Sequence, residues 1–175
     1  MRRLLLFRHA KATQSKPDAE DRPRILIKRG RKDSTRIGTY LAADALIPDR
    51  VLISPAARTQ ETWEFAALAF RSAVEAVTVE QLYDATADTI IAVIKQTPAE
   101  VHSLLVIGHN PSLHDLALTL VASGNVDARR RLKEGLPTGG MAIIDFAFDD
   151  WGKIASQSGR LESFVTPKSL AANAR

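Results

Sequence analysis

Two arginines and two histidines in this 175-residue chain stand where phosphoryl chemistry could be done. Arg8 and His9 end the apolar run LLLF, Arg58 sits inside SPAARTQET, and His109 sits inside VIGHNPSL. A neutral imidazole is a nucleophile or a proton acceptor, and guanidinium groups engage several oxygens of one anion at once. A phosphoryl group suits such a set better than a carboxylate does, because it presents more oxygens. Taken singly, each residue has an ordinary explanation as a solvated charge at a strand end. Their joint placement, each at or shortly after the end of an apolar run, is what points to a site. His109 also precedes a helical stretch in which Asn110 is expected to cap and Pro111 to occupy the first turn, an arrangement that favours anions.

The elements that position these residues follow from the apolar pattern. Short runs rich in Val, Ile and Leu predict strands at Leu4–Phe7, Val51–Ile53, a weaker Val77–Val79, Leu104–Ile107 and Ala142–Phe146. Helical spacing joins Ile37, Tyr40 and Leu41, then Trp63, Ala66, Ala67 and Phe70. It recurs in Ile90, Val93 and Ile94 before Pro98, and in Leu113, Leu116, Ala117 and Leu120 before Gly124. Strands alternating with helices predict an α/β fold, a three-layer α/β/α sandwich whose central sheet is mostly parallel. In such sheets ligands collect beyond the carboxyl ends of the strands, which is where Arg8, His9, Arg58 and His109 fall.

Composition narrows the function. With 45% apolar residues, one domain over 1–175 is expected, its tail after about residue 165, ending SLAANAR, fraying. No stretch of eighteen apolar residues occurs, so no membrane role is expected and a cytoplasmic protein is the default. The absence of cysteine removes disulfides, thiolate metal sites and Cys nucleophiles. The net charge of +4 is uneven, since residues 1–36 hold twelve Lys/Arg against four Asp/Glu. That surplus would draw anions to one region. Nucleic acid is disfavoured as the partner: aromatics make up 6% of residues, and ARRRLK at 128–133 is a single basic run without aromatic interleaving.

These segments resemble the histidine phosphatase superfamily, also called phosphoglycerate-mutase-like, and within it the small SixA-like phosphohistidine phosphatases. The resemblance rests on LLLFRHAKA, on DRP at 21–23 with KRGRKD at 28–33, on VLISPAARTQET, on LYDATAD and on LLVIGHNPSL, which cover most of residues 3–121 in order. It implies a covalent mechanism with His9 as nucleophile and with Arg8, Arg58 and His109 holding the phosphoryl oxygens, Arg22 being a further candidate for that role. It implies neither metal nor other cofactor, and the chain contains no HExxH and no carboxylate cluster at ligand spacing. Two departures stand out. The family usually has Gly where Ala10 stands, and the stretch between Pro23 and Gly30 is about two residues longer, leaving the role of 24–27 open. Larger members place a general acid where this chain has Asp84, which reads equally well as a turn or cap residue.

The partner implied is a phosphorylated protein carrying phosphohistidine, or a small phosphorylated substrate. Hydrolysis of phosphohistidine or a related phosphoamidate leads. The alternatives are a small-molecule phosphomonoesterase and a phosphate-recognising module without turnover. The short chain leaves little room for inserted helices over the site, so an open site is expected, rimmed by Arg22, Arg24, Lys28 and Arg29. His102 and His114 are expected to lie outside it.

Overall fold

The computed structural model describes residues 1–174. Seven strands form one sheet: β1 (Arg2–Arg8), β2 (Arg50–Ile53), β3 (Glu75–Thr78), β4 (Ser103–Gly108), β5 (Val121–Gly124), β6 (Met141–Phe146) and β7 (Gly159–Val165). Six helices are α1 (Lys28–Ala43), α2 (Ala57–Ala67), α3 (Ala87–Lys95), α4 (Ser112–Leu120), α5 (Val126–Glu134) and α6 (Pro167–Asn173). The strand order is β3-β2-β4-β1-β6-β7-β5. β1, β2, β3 and β4 pair in parallel, β6 runs against both β1 and β7, and β5 is parallel to β7, so β6 alone is reversed.

Strand alternation sorts the core into two layers. Leu4 and Leu6 of β1, with Leu104 and Val106 of β4, face a cluster completed by Ile90 and Ile94 of α3, Leu113, Leu116 and Leu120 of α4, and Leu132 of α5. Leu5 and Phe7, with Leu105 and Ile107, face a second cluster built with Ile37 and Leu41 of α1 and Trp63 and Ala66 of α2. A strand buried on both faces reads as a continuous apolar run rather than an alternating one, which is why LLLF and LLVI were legible. The expected three-layer sandwich is the observed one.

Several elements depart from the sequence reading. The strands β5 and β7 and the helix α5 were not anticipated. β5 is largely exposed and β7 alternates, so neither forms an apolar block. α5 buries only Ala128 and Leu132 beneath its basic run. The tail after 165 does not fray at once: Thr166 and Ser169 form a reciprocal capping box, Pro167 takes the first turn, and Leu170 packs on the second cluster. At α4 the cap is Pro111 rather than Asn110, whose side chain donates instead to the Leu136 carbonyl at 2.8 Å.

Candidate active site

The carboxyl ends of β1, β2 and β4 converge, and the reversed strand β6 brings its preceding loop to the same edge. Arg8 is the last residue of β1, and its amide donates to Gly140 at 3.0 Å. Its side chain follows the Leu4–Leu6 face, and Nη1 donates to the Leu136 carbonyl at 3.0 Å. His9, next along, is tied by its backbone to Gly108 and Gly139. The adjacent arginine and histidine therefore leave the strand end in different directions, a consequence of pleat alternation.

The segment RTQET is accounted for residue by residue. Arg58 lies in the first turn of α2, 5% exposed. The Thr59 hydroxyl and Gln60 amide donate to the Ser54 carbonyl, fixing the turn after β2. Leu26 donates its amide to Glu61 at 2.6 Å. The Thr62 hydroxyl donates to the Arg58 carbonyl and accepts the Ala10 amide at 3.0 Å, joining α2 to the chain just past His9. Ala10 is fully buried beside Ala12 and Leu26, so the methyl group in place of the family glycine is absorbed by packing. Gly30 is required on the far side of this loop, since a Cβ there would lie 2.1 Å from the Lys11 carbonyl oxygen.

Of the four sequence-predicted residues, His9, Arg58 and His109 come together, and Arg8 lies close enough for its charge to act on both rings. The two imidazole centroids are 5.4 Å apart, and Arg58 Nη2 stands 3.3 Å from His109 Nδ1. Arginine can only donate, so His109 Nδ1 is the acceptor and Nε2 carries the proton toward Ser54 Oγ at 2.7 Å. In His9, Nδ1 lies 2.8 Å from the Ala10 carbonyl, which can only accept, so Nδ1 is protonated and Nε2 keeps its lone pair. Burial pushes His9 down to about 3, with Arg58, His109 and Arg8 adding to the effect. Burial likewise lowers His109 to about 4, helped by Arg58. Both rings are neutral at pH 7. Burial also lowers Arg8 from its ordinary value.

Asp21 is the residue that sequence reasoning missed. Its Oδ2 accepts Arg58 Nη2 at 2.9 Å and the Tyr83 hydroxyl at 2.5 Å, while Oδ1 accepts Arg24 Nε at 2.9 Å. Burial opposes ionisation of this carboxyl, but the Tyr83 hydroxyl and the Arg24 and Arg58 guanidiniums win and hold it well below the usual carboxylate range. Tyr83 in turn sets its ring edge-on to His109 at 5.7 Å. The signal was present in the DRP segment, but nothing local to it says that the loop folds back over α2. Residues 24–27 take part in that fold: Ala12 and Leu26 form an antiparallel bridge, Leu26 is buried, and Arg24 reaches the Thr13 carbonyl.

The remaining candidates lie outside this cluster. Arg22 stacks on Tyr83 at 4.4 Å and pairs with Glu80 at 3.1 Å, one layer out from the imidazoles. Asp84 is exposed, with a left-handed backbone (φ 51°), and its side chain makes no hydrogen bond or ion pair among the described residues. His102 sits at the amino end of the sheet against Arg2, and His114 is held by the Leu132 carbonyl. Of the expected rim, Arg24 is occupied by Asp21, whereas Lys28 and Arg29 are exposed. No three His, Asp or Glu side chains gather as a metal-binding group among the described residues, and no helix there is long and apolar enough to cross a membrane.

No protein-family model matches the chain. It is 34% identical over 168 residues to an uncharacterised protein of Mycobacterium leprae, covering 93% of this chain and 100% of that one. A structure provisionally named phosphohistidine phosphatase SixA from Agrobacterium tumefaciens is 29% identical, with a TM-score of 0.79 over 95% of this chain and 98% of that one. The corresponding structure from Nakamurella multipartitia superposes with a TM-score of 0.82 at 25% identity, over 95% and 96% of the two chains. With its sheet order, its paired imidazoles and these relatives, the chain belongs to the histidine phosphatase superfamily, in its SixA-like branch.

Proposed function

We propose that the protein hydrolyses phosphohistidine in proteins, or a related phosphoamidate, through a phosphohistidine formed on His9. The observation that carries the reading is the state of His9: a buried, neutral imidazole with Nδ1–H tied to Ala10 and the Nε2 lone pair free. The charges of Arg58 and Arg8 reach this ring, and phosphoryl oxygens would neutralise them.

In the first half-reaction His9 Nε2 attacks phosphorus in line, an N–P bond forms, and the bond from phosphorus to the substrate nitrogen breaks. A substrate imidazole protonated on its other nitrogen leaves neutral. In the second, water attacks phosphorus, the Nε2–P bond breaks, inorganic phosphate departs and the proton of water goes to solvent. Arg8 and Arg58 would hold the oxygens as charge develops, and His109 Nε2–H would join them by exchanging Ser54 Oγ for a phosphoryl oxygen, while Asp21 keeps Arg58 oriented. No step calls on a metal ion.

The experiment is hydrolysis of a phosphohistidine peptide and of a panel of phosphomonoesters in the presence of EDTA, with wild type and Asp84→Asn. The expected result is faster turnover of phosphohistidine, with Asp84→Asn within about tenfold of wild type, below the 10²–10⁴ typical of a general acid. Faster turnover of sugar phosphates, a thousandfold loss in Asp84→Asn on phosphohistidine, or loss of activity in EDTA would overturn the corresponding part of the reading.

The protonation states are open to direct measurement. In the free protein, nitrogen NMR of the imidazoles should find His9 neutral, protonated on Nδ1, from pH 8 down to pH 5, because its value lies near 3. His109 should gain its second proton only near pH 4. A His9 midpoint at the ordinary 6.5 would contradict the account, since half the nucleophile would then be blocked at that pH.

A further inference from the structure

A groove of about 670 Å³ opens against Arg8, lined also by Asn110, His114, Arg131 and Lys168. It borders a smaller one of about 300 Å³ across Pro137, Thr166 and Lys168, which extends to Lys11, Arg29 and Asp33, the last a carboxylate paired with Arg29 and Arg36 at 3.7 Å each. Arg131 is the ARRRLK arginine that lines this groove. Its guanidinium stacks on Phe164 at 5.2 Å and donates to the Phe164 carbonyl at 3.2 Å, so neutral groups hold it in place. Among the described residues neither Arg131 nor Lys168 has a carboxylate oxygen within 4.0 Å. Glu134, the carboxylate lining the larger groove, is engaged by Arg130 at 3.0 Å.

We propose that this trench docks the acidic surface of the phosphorylated protein whose phosphoryl group enters at Arg8 and His9. The inference rests on the phosphatase reading above and names the substrate's flanking chemistry. The cations come from separate elements, α5, α6 and the chain after β1, and spread along an open furrow. A small dianion would need buried donors converging on one point, which the trench does not offer. Dispersed charges at a rim instead steer and orient a macromolecular partner of opposite sign. Arg8 lines the groove and its charge reaches the His9 ring, so a phosphoryl group held by Arg8 at His9 has its flanking residues within reach of the trench.

The test compares the double variant R131E/K168E with wild type on three probes: a phosphohistidine peptide flanked by Asp and Glu, the same peptide flanked by Ser, and phosphoramidate. The ratio of kcat/KM for the acidic peptide to that for phosphoramidate should fall by about tenfold, and the fall should shrink in 0.5 M salt. The Ser-flanked peptide should show little change in the same ratio. A control, K153E/R160E, reverses two cations near the start of β7, at the opposite end of the sheet, and should leave the ratio within about twofold. Equal losses on all probes, an unchanged ratio, or an equal effect of the control would overturn the docking surface. Fluorescence anisotropy with the unphosphorylated acidic peptide separates the two claims, since it needs no turnover. Weaker binding to R131E/K168E than to wild type supports the groove even if wild type hydrolyses no phosphoamidate; identical Kd values overturn it even if the enzyme is active.

Discussion

Replacement of His9 by alanine should abolish turnover of every phosphorylated substrate and leave a folded protein. The loss follows from removing the nitrogen proposed to accept the phosphoryl group, and deletion of a nucleophile costs on the order of 10⁶ in kcat. The fold should survive because His9 lies just past β1, where its ring makes one hydrogen bond to the next carbonyl and no core contact of the two main clusters depends on it. A small cavity and the loss of that bond should cost about 1–2 kcal/mol, against which the variant no longer desolvates an imidazole. Thermal unfolding followed by circular dichroism checks the fold, and single-turnover kinetics checks the loss. Residual activity within tenfold of wild type in a folded variant would remove His9 from the mechanism.

Arg58→Ala should cost about 3 kcal/mol of transition-state stabilisation or more, the scale for deleting one preorganised donor to a developing anion. Arg58 does three things at once: it holds His109 Nδ1, rests on Asp21, and keeps a buried Nε–H unpaired. Its loss should lower kcat and kcat/KM together rather than raise KM alone. Arg58→Lys should recover only part of the activity, because an ammonium supplies charge but cannot span Asp21 and His109 while reaching a phosphoryl oxygen. Steady-state kinetics of both variants on phosphohistidine peptide decides this. A lysine variant equal to wild type would mean that Arg58 acts only through its field.

Much of this was legible in the chain itself, for a physical reason. Strands buried on both faces announce themselves as apolar runs, so the central strands β1, β2 and β4 could be read directly. Residues at or shortly after their carboxyl ends fall at one edge of the sheet, which assigns Arg8, His9, Arg58 and His109 to a common site from the sequence. What stayed hidden depends on long-range contact. Asp21 belongs to a loop that folds back onto α2 and Tyr83, 37 and 62 residues away, and no local pattern encodes that. β5 and β7 lie at one side of the sheet with mixed exposure, so their periodicity is weak. The basic run of α5 reads as a solvated helix face, and only the packing of α5 against β7 turns Arg131 toward Arg8. Asp84 stands two residues before the Thr86 cap of α3 and displays no contact that would make it an acid in the site.

The measurement that bears most directly on the covalent mechanism is rapid-quench labelling with a ³²P-phosphohistidine peptide, followed by mapping of the label. The account predicts a transient, acid-labile and alkali-stable phosphoryl group on the peptide containing His9, formed at least as fast as inorganic phosphate is released and absent from His9→Ala. Phosphate release with no label at any quench time, or a label on any other residue, would contradict it.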